Sequence, residues 1–424
     1  MSIILFRISL RIIDTSMQYF RNAELAKLYH VHQSTVANWI EAATSGKLKL
    51  TLHEHGGRRY IANTASNIAT IEKLVAERKK FVNSGGHKLI RPGAQFYKNY
   101  TREQIADIIS NLTTYREVPV QYSYIGGGAS YWDEYAWRLV DQDRGTTKNT
   151  IQLLDSNLGS LDRLIGNRKR VNVVDLGVGN ALPIQGILQY LVERGILGRY
   201  IAIDVSAQML EIAERNIKQW FGDSVIFEGY QRDMTCERFK DLLVDDYLAG
   251  GADESINLVF LLGGTLLNFR NPDDVLRIIN NSMMPGDLLI HCVKLDTPQS
   301  RRYFDFSNVR LGEDKPPSQY TYMLEQLNID QSCYELEAYF DEELKARFLK
   351  ARLKVALTIE FDLGDALRRV ELGKNEHITL LRIWHRDVWG AINQFMKNGF
   401  GLLQASQTSN HEYLLTISDL RGVR

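Results

Sequence analysis

Two aspartates and two glycines, spaced as in a nucleoside site, carry the strongest chemical signal in the sequence. Asp175 lies near the end of an apolar run over residues 171–176, and Gly177 and Gly179 follow directly. Glycine has no Cβ, so these positions let the backbone pass close to a ligand. Asp204 ends the next apolar run, at the distance expected for a second acidic residue of such a site. We expect Asp204 to accept hydrogen bonds from both ribose hydroxyls.

These side chains need a strand, a turn, a helix and a second strand to position them. Apolar runs over residues 171–176 and 200–204 predict buried parallel strands, and residues 182–193 and 208–220 have the spacing of helices. Such a βαβ unit binds nucleosides at the carboxyl edge of its sheet.

The turn itself discriminates between ligands. A dinucleotide site needs a third small residue where this chain has Leu182. The carboxylate of Asp175 would repel a pyrophosphate, whereas it suits an amino group or a sulfonium. S-adenosyl-L-methionine (SAM) carries both groups, so the sequence favours SAM over a dinucleotide. The remaining alternative is an ordinary strand-to-helix turn without a ligand.

The rest of the body predicts an α/β fold, a doubly wound class I (Rossmann-like) sheet over residues 115–424. Its further elements are strands at 225–229, 256–262 and 288–293, a helix at 273–281, and a closing hairpin at 399–405 and 412–418. Asp233 follows the third strand, either to bind the adenine amino group or to close a turn. Residues 297–385 are too long for a plain crossover. We interpret them as an inserted α+β substrate-binding lobe with a helix at 341–351 and strands at 355–361 and 377–384.

A separate basic module precedes this body. Residues 18–92 contain 12 Lys and Arg against 5 Asp and Glu, whereas residues 93–424 contain 37 against 45. This asymmetry suggests that the two parts have different partners. We expect a small domain over residues 18–82 and a linker or helical connector over residues 83–114, in which the Ser84–Gly86 and Arg91–Gly93 segments serve as the linker.

The module resembles the winged helix-turn-helix of the MerR and excisionase type. Helices at 22–29 and 34–42 flank a turn, and a hairpin that turns at Gly56 and Gly57 would be the wing. The resemblance implies DNA contacts in the major groove and with the backbone, made by the outward residues Gln33, Ser34, Thr35 and Asn38 and by Arg58 and Arg59 of the wing. The alternative is a small helical domain for protein contact or dimerisation.

Composition narrows the class of protein further. A chain of 424 residues predicts two or three domains. Cys236, Cys292 and Cys333 form neither a disulfide framework nor a metal-ligand cluster, so a reducing, cytoplasmic location is expected. No apolar run reaches the roughly 18 residues of a membrane span. The first sixteen residues read as a mis-annotated start, and we assign them no function.

A second resemblance rests on motifs after the fourth and before the fifth strand. Residues 261–269 read Leu-Leu-Gly-Gly-Thr-Leu-Leu-Asn-Phe, and residues 284–287 read Met-Pro-Gly-Asp. With the aromatic and glycine-rich segment 121–135, they resemble the histidine-specific SAM-dependent methyltransferase family. The resemblance implies that Asn268 contacts the substrate, together with Gly264, Thr265 and Tyr131, and that Tyr122 contacts SAM. Trp132 of the same segment stacks on a ligand or packs in the core.

The acceptor stays open at this point. The family holds imidazole with an acid and a hydroxyl on a late strand, where this chain has Leu381 and Ile383. Histidine, another small amine, and a more apolar acceptor are therefore all considered. In-line methyl transfer needs mainly alignment and exclusion of water, and the sequence indicates no general base.

The sequence leaves two further functions open. In the first, the body only senses SAM on behalf of a DNA-binding regulator. In the second, the chain methylates DNA, which Gly263-Gly264-Thr265 disfavours because DNA methyltransferases carry Pro-containing turns there. The sequence predicts a SAM-dependent enzyme that N-methylates a small amine or amino acid.

Overall fold

The computed structural model describes residues 18–29, 31, 33–83, 87–141, 145–302 and 318–421. The segment read as a mis-annotated start and the Ser84–Gly86 part of the predicted linker lie outside the described residues. Among the described residues, no helix is both long enough and apolar enough to cross a membrane.

The helices, in chain order, are α1 (Asn22–Tyr29), α2 (Gln33–Thr44), α3 (Ala65–Asn83), α4 (Ala94–Asn99), α5 (Arg102–Tyr115), α6 (Gly127–Asp141), α7 (Thr146–Ser156), α8 (Leu158–Ile165), α9 (Gln185–Glu193), α10 (Ala207–Phe221), α11 (Val244–Glu254), α12 (Thr265–Asn268), α13 (Pro272–Ser282), α14 (Pro298–Arg302), α15 (Ser318–Gln326) and α16 (Val388–Lys397).

The strands, in chain order, are β1 (Tyr19–Phe20), β2 (Leu52–His55), β3 (Arg58–Ala62), β4 (His87–Ile90), β5 (Arg170–Leu176), β6 (Leu197–Asp204), β7 (Phe227–Gln231), β8 (Ser255–Leu261), β9 (Leu288–Lys294), β10 (Tyr334–Asp341), β11 (Ala346–Leu353), β12 (Ala356–Asp362), β13 (Leu367–Leu372), β14 (His377–Trp384), β15 (Phe400–Gln407) and β16 (Tyr413–Leu420).

The chain divides into two compact units. The first contains residues 1–97, 324–335 and 353–376, and the second contains residues 98–323, 336–352 and 377–424. The predicted inserted lobe, residues 297–385, is therefore shared between the two units instead of forming one. The sequence could not show this division, because it depends on strand pairing between segments far apart in the chain.

A seven-stranded sheet organises the second unit. Its strand order is β15-β16-β9-β8-β5-β6-β7. Strands β5 to β9 run parallel, and β16 enters antiparallel to β9. This order, with a closing antiparallel hairpin, is the class I methyltransferase sheet, so the predicted fold of the body is confirmed.

Both faces of this sheet are covered by helices. One face packs against apolar side chains of α7 to α10, and the other against Val275, Leu276 and Ile279 of α13. Strands buried on both faces read as continuous apolar runs, which explains why β5 and β8 were recognisable in the sequence.

A smaller sheet, β10-β11-β14, also belongs to the second unit. The helix predicted at residues 341–351 is wrong, because β10 ends at Asp341, a turn follows, and β11 begins at Ala346. Lys345 takes a left-handed φ of 51° in this turn. The segment has good helix formers, but pairing of β11 with β14 overrides their propensity.

The first unit contains two three-stranded sheets. Around β1-β3-β2 pack α1, α2 and α3, with Leu25, Val36 and Ile71 in the core. The second sheet has the order β13-β12-β4. Residues 83–114 are not a plain linker, because β4 pairs in parallel with β12 and two helices, α4 and α5, follow it.

Candidate cofactor and acceptor site

The carboxyl ends of β5 and β6 meet at one edge of the seven-stranded sheet. Asp175 is the second-to-last residue of β5, and Asp204 is the last residue of β6, its parallel neighbour. The backbone N–H of Gly177 donates to the carbonyl of Ile203 at 2.8 Å, which fixes the turn against β6. The structure thus brings both predicted carboxylates to one place.

The turn after β5 needs glycine for two reasons. Gly177 has a φ of 67° and Gly179 a φ of 55°, both in the left-handed region. A Cβ on Gly177 would lie only 3.3 Å from the Met234 Cε and from the Thr265 Cγ2. Three loops of the sheet edge therefore converge at this turn, which confines a ligand to a narrow space.

Asp204 is held by backbone donors. Its Oδ1 accepts a hydrogen bond from the Ser206 N–H at 2.9 Å, and its Oδ2 accepts one from the Gly179 N–H at 3.4 Å. Burial raises the pKa of Asp204 to about 6. The backbone hydrogen bonds lower this pKa, but burial has the larger effect. The carboxylate keeps lone pairs for further donors, as two ribose hydroxyls would supply.

Asp175 lies deeper in the sheet. The Tyr200 hydroxyl donates to its Oδ2 at 3.2 Å. Burial raises the pKa of Asp175 to about 7, and the nearby charge of Asp204 adds to the shift. Two buried carboxyls with raised pKa values are stabilised in their charged form by a cation and by hydroxyl donors. This donor set fits SAM, which brings an ammonium, a sulfonium and a ribose.

Tyr122 and Asp233 lie on a neighbouring part of the edge. The hydroxyl of Tyr122 donates to the Asp107 Oδ2 at 2.9 Å. Burial raises the pKa of Tyr122, and the carboxylates of Asp107 and Asp233 add to that. Asp233 accepts hydrogen bonds from the Thr235 N–H and hydroxyl with one oxygen. It therefore closes a turn, which was one of its two predicted roles, and its second oxygen makes no hydrogen bond to the described residues.

The segment before and within α6 covers the turn. The Asn180 amide donates to the Asp133 carboxylate at 2.9 Å, and the Gly126 N–H donates to the Gln208 side chain at 3.1 Å. Tyr124 lies close enough to Asp204 for that charge to raise the Tyr124 pKa, after burial as the main cause. The sequence did not single out Tyr124 or Asn180, although both stand inside segments that it marked.

Aromatic rings extend this cover away from the sheet. Trp132 stacks on Tyr124 with ring centroids 4.8 Å apart, and meets Tyr135 and Tyr320 edge-on. Tyr131 faces Tyr322 instead, at 6.0 Å. Trp132 thus belongs to an aromatic cluster that begins next to Asp204.

The turn after β8 forms the other wall. Gly264 has a φ of 78° and precedes α12, and the Thr265 hydroxyl donates back to the Leu262 carbonyl at 3.0 Å. Asn268 is half-buried, and its side-chain amide makes no hydrogen bond to the described residues. Thr265 therefore stabilises the turn through its hydroxyl, whereas the amide of Asn268 is available to a ligand.

Strand β14 is tied to this turn at two points. The Trp384 indole N–H donates to the Phe269 carbonyl at 2.8 Å. The buried carboxylate of Glu117 accepts from Arg270 at 2.9 Å and from Arg382 at 2.7 Å. No sequence signal identified this charge cluster, because its members are far apart in the chain.

Strand β14 carries Leu381 and Ile383 at the positions where the resembling family has an acid and a hydroxyl. These two residues have different surroundings. Ile383 packs against the apolar cluster that contains Leu267 and Val293. Leu381 lines a cavity with Trp132 and Tyr320. Among the described residues, no cluster of three or more His, Cys, Asp or Glu side chains could hold a metal ion.

The predicted DNA contacts are placed differently from the expectation. Thr35 is buried rather than outward, and its hydroxyl donates to the Asp330 carboxylate of the same unit. Asn38 donates to the Asn328 side chain at 2.8 Å. Thr35 and Asn38 face inward because residues 324–335, far along the chain, belong to the same compact unit as α2.

The other predicted DNA contacts divide into two groups. Arg58 and Arg59 on β3 are exposed, as predicted for a wing. Gln33 and Ser34 begin α2, and their side chains lie outside the described residues. The helices and the hairpin of the module are present, whereas its interpretation as a DNA-binding winged helix stays a prediction.

The comparison with protein families agrees with the site. Residues 104–302 match the model of a family described as histidine-specific methyltransferase, SAM-dependent. The match spans α5, the aromatic segment, the Gly177–Gly179 turn and the turn after β8. Together with the order of the seven strands, it identifies the chain as a SAM-dependent methyltransferase with S-adenosyl-L-methionine as its cofactor.

Solved structures give more distant likenesses. The chain is similar to a SAM-dependent methyltransferase from Clostridium acetobutylicum ATCC 824, with TM-score 0.34, 10% identity, and coverage of 69% of this chain and 99% of that chain. It is similar to the PH0226 protein from Pyrococcus horikoshii OT3, with TM-score 0.35, 14% identity and coverage of 64% and 90%.

A third likeness is to the glycopeptide N-methyltransferase MtfA complexed with SAM, with TM-score 0.32, 9% identity and coverage of 65% and 95%. No curated protein sequence matches the chain.

Proposed function

We propose that the protein transfers the methyl group of SAM to the nitrogen of a small amine or amino acid. The observation that carries this proposal is the half-buried amide of Asn268, which makes no hydrogen bond to the described residues. It lies on a turn whose Thr265 methyl abuts the Gly177 position. An amide there has the donor and acceptor that an amino acid's carboxylate or amine requires.

Different residues would bind SAM, exclude water and align the acceptor. SAM, when bound, supplies an electrophilic methyl group on its sulfonium. Asp204 would hold the ribose, Asp175 would favour the cationic end, and Asp233 and Tyr122 would border the adenine. The aromatic cover of Tyr124 and Trp132 excludes water, so that the chain chiefly aligns the acceptor for in-line attack.

Full-length protein incubated with SAM and a panel of amino acids and amines tests the proposal. We expect S-adenosylhomocysteine to form with at least one amine. Binding of SAM without turnover of any amine would contradict the proposal and favour the sensor interpretation instead.

Substitution of Asn268 tests the residue that carries the argument. Asn268→Ala removes a hydrogen bond to the acceptor of about 1.5–3 kcal/mol if the acceptor group is charged. We expect kcat/KM for the acceptor to fall about tenfold to a hundredfold, with an unchanged dissociation constant for SAM. Asn167→Ala, at an exposed position of the same unit, is the matched control and should change neither.

DNA recognition is not part of this proposal. Two of the four polar side chains expected to read bases, those of Thr35 and Asn38, hydrogen bond within their own unit. A domain for protein contact or dimerisation agrees better with these contacts, and it is the alternative that the sequence leaves open.

A further inference from the structure

An arginine stands two residues after Asn268 in the turn that follows β8. Phe269, between them, has an extended backbone with a φ of −75° and a ψ of 146°, and its side chain is buried. Neighbouring side chains of an extended backbone point away from each other, so those of Asn268 and Arg270 point away from Phe269. Both are half-buried. The Asn268 amide and the Arg270 guanidinium therefore lie on the outer side of the same turn.

Two contacts hold the Arg270 guanidinium in place. Its Nη1 donates to the Glu117 carboxylate at 2.9 Å, and its Cζ lies 3.3 Å from the centroid of the Tyr115 ring. The Arg270 side chain still keeps 36% of its surface exposed. A guanidinium has five N–H donors, and the hydrogen bond to Glu117 uses one of them. A ligand can therefore reach further donors of a side chain that is already ordered.

The charge of this cluster is not balanced. The same Oε2 of Glu117 accepts from Arg270 and from Arg382. The two acids that follow along the chain, Asp273 and Asp274, accept from side chains of α16 and of α13. Two cations thus share one carboxylate among the described residues, which leaves one positive charge in excess. An anion bound at Arg270 would neutralise it.

Arg382 gives a second sign of the same excess. Its side chain is 9% exposed, and its Nη1 has no hydrogen-bond partner. Buried polar groups are normally hydrogen bonded, and an exception such as this one requires an explanation. A buried guanidinium with a donor left over keeps part of its charge uncompensated. Because Arg382 lies behind Glu117, this charge adds to the attraction of Arg270 for an anion.

The cluster is attached to the turn that carries Asn268. The Trp384 indole of β14 donates to the Phe269 carbonyl, and β14 packs against α12. An arginine side chain is longer than that of asparagine, and that of Arg270 is anchored to Tyr115 at the end of α5. Its guanidinium therefore lies further from the turn than the Asn268 amide does. An acceptor that contacts both has its anionic group apart from the end that Asn268 binds.

We propose that Arg270 binds a carboxylate at the far end of the acceptor, so that the enzyme prefers acidic amino acids to their neutral amides. The inference rests on the proposed N-methyl transfer. In that reaction the nitrogen lone pair forms the bond to the methyl carbon, the carbon–sulfur bond breaks with its electrons on sulfur, and the nitrogen loses its proton to solvent. Arg270 takes no part in these bond changes and positions the acceptor through a charge-assisted hydrogen bond.

Pairs of amino acids that differ in the charge of the side chain test the inference: L-aspartate with L-asparagine, and L-glutamate with L-glutamine. With full-length protein and saturating SAM, kcat/KM is measured for each from S-adenosylhomocysteine release. We expect at least one acid to exceed its own amide by about tenfold or more, the value of one charge-assisted hydrogen bond.

Variants of Arg270 separate recognition of charge from packing. Arg270→Gln keeps a hydrogen-bond donor but removes the charge, so the ratio of acid to amide should fall about tenfold. The dissociation constant for SAM should stay unchanged. Arg270→Lys restores the charge without the planar fork and should recover part of the ratio. Arg277→Gln, at a side chain that is 64% exposed in the same unit, is the matched control and should keep the wild-type ratio.

The outcomes distinguish the two proposals. Methylation of another amine, with neither acid better than its amide, would overturn this inference and leave the proposed function intact. Equal losses for acid and amide in Arg270→Gln would show a structural role, or binding of the α-carboxylate that both compounds share, and would also overturn it. Failure of every amine to accept a methyl group, despite SAM binding, would instead refute the proposed function.

Discussion

The cofactor side and the acceptor side of the site are built on opposite principles. At the carboxyl edge of β5 and β6, buried carboxyl groups with raised pKa values surround a glycine turn. Around the turn after β8, the Asn268 amide is half-buried and makes no hydrogen bond to the described residues. The described residues that line the cavity beside Trp132 and Leu381 are uncharged. Buried charge without an ion pair thus marks the cofactor side, whereas uncharged polar and apolar side chains mark the other.

This difference explains why the sequence predicted the residues of the cofactor side more completely than those of the acceptor side. A cofactor shared by many enzymes imposes fixed residue types on a short local segment. The uncharged side is assembled from several elements, here the segment before α6, α15 and β14, and apolar residues on separate elements leave no distinctive pattern in the sequence.

Loss of the carboxylate of Asp204 should have the largest effect on the cofactor side. Asp204→Ala removes two charge-assisted hydrogen bonds to ribose, each of about 1.5–3 kcal/mol. We expect the dissociation constant for SAM to rise by about a hundredfold or more in calorimetric titration. Asp223→Ala, an exposed aspartate in the same unit, should bind SAM like the wild type. Equal affinities for both variants would contradict charge-based selection.

The acceptor side should depend on a buried ion cluster for its shape. Glu117→Gln removes the charge between Arg270 and Arg382, where the Glu117 and Arg382 side chains are 8% and 9% exposed. Breaking such a pair from one side costs about 3–5 kcal/mol of unfolding free energy. Urea denaturation measures this loss.

The exposed pair of Arg277 and Asp274 supplies the control for that experiment. Asp274→Ala should cost at most about 1 kcal/mol. Similar losses in both variants would show that the cluster around Glu117 does not hold β14 and the turn in place.

Acidification should weaken the binding of SAM. Because burial raises the pKa of Asp204 to about 6 and that of Asp175 to about 7, lower pH protonates the carboxylates that SAM needs ionised. We expect protonation of Asp204 alone to lower SAM affinity about tenfold between about pH 7.5 and about pH 5, and protonation of Asp175 to lower it further. Asp204→Asn should make this dependence shallower, and an equally steep profile in that variant would assign the titration to other groups.

The same shifts determine how the ligand-free protein responds to pH. Each of these carboxyls binds its proton more tightly in the folded than in the unfolded chain. Their contribution to stability is therefore fully present below the unfolded pKa of about 3.8 and is lost as the pH rises through about 6 to 7. Thermal denaturation of the ligand-free protein, compared with Asp204→Asn, measures this trend.

The smallest expected effect concerns the turn that joins the two sides. Gly177→Ala forces a side chain into a φ of 67°, which costs about 1–2 kcal/mol. Its Cβ would also press on Met234 and Thr265. We expect SAM affinity to fall about tenfold. Gly159→Ala, in open space within α8, should leave SAM affinity unchanged, and a comparable loss there would refute the steric explanation.

Local patterns predicted most of the large sheet. The burial of β5, β6 and β8 on both faces made them apolar runs, and the glycine turn and Asp204 followed from their spacing. The strand at residues 346–353 was mistaken for a helix because its partner, β14, is remote in sequence. Thr35 was expected to be outward for the same reason, since Asp330 lies 295 residues away.

A crystal structure of the protein with S-adenosylhomocysteine tests the central claim most directly. We expect both ribose hydroxyls to lie within hydrogen-bonding distance of the Asp204 carboxylate. A nucleoside bound away from Asp204 would contradict the claim.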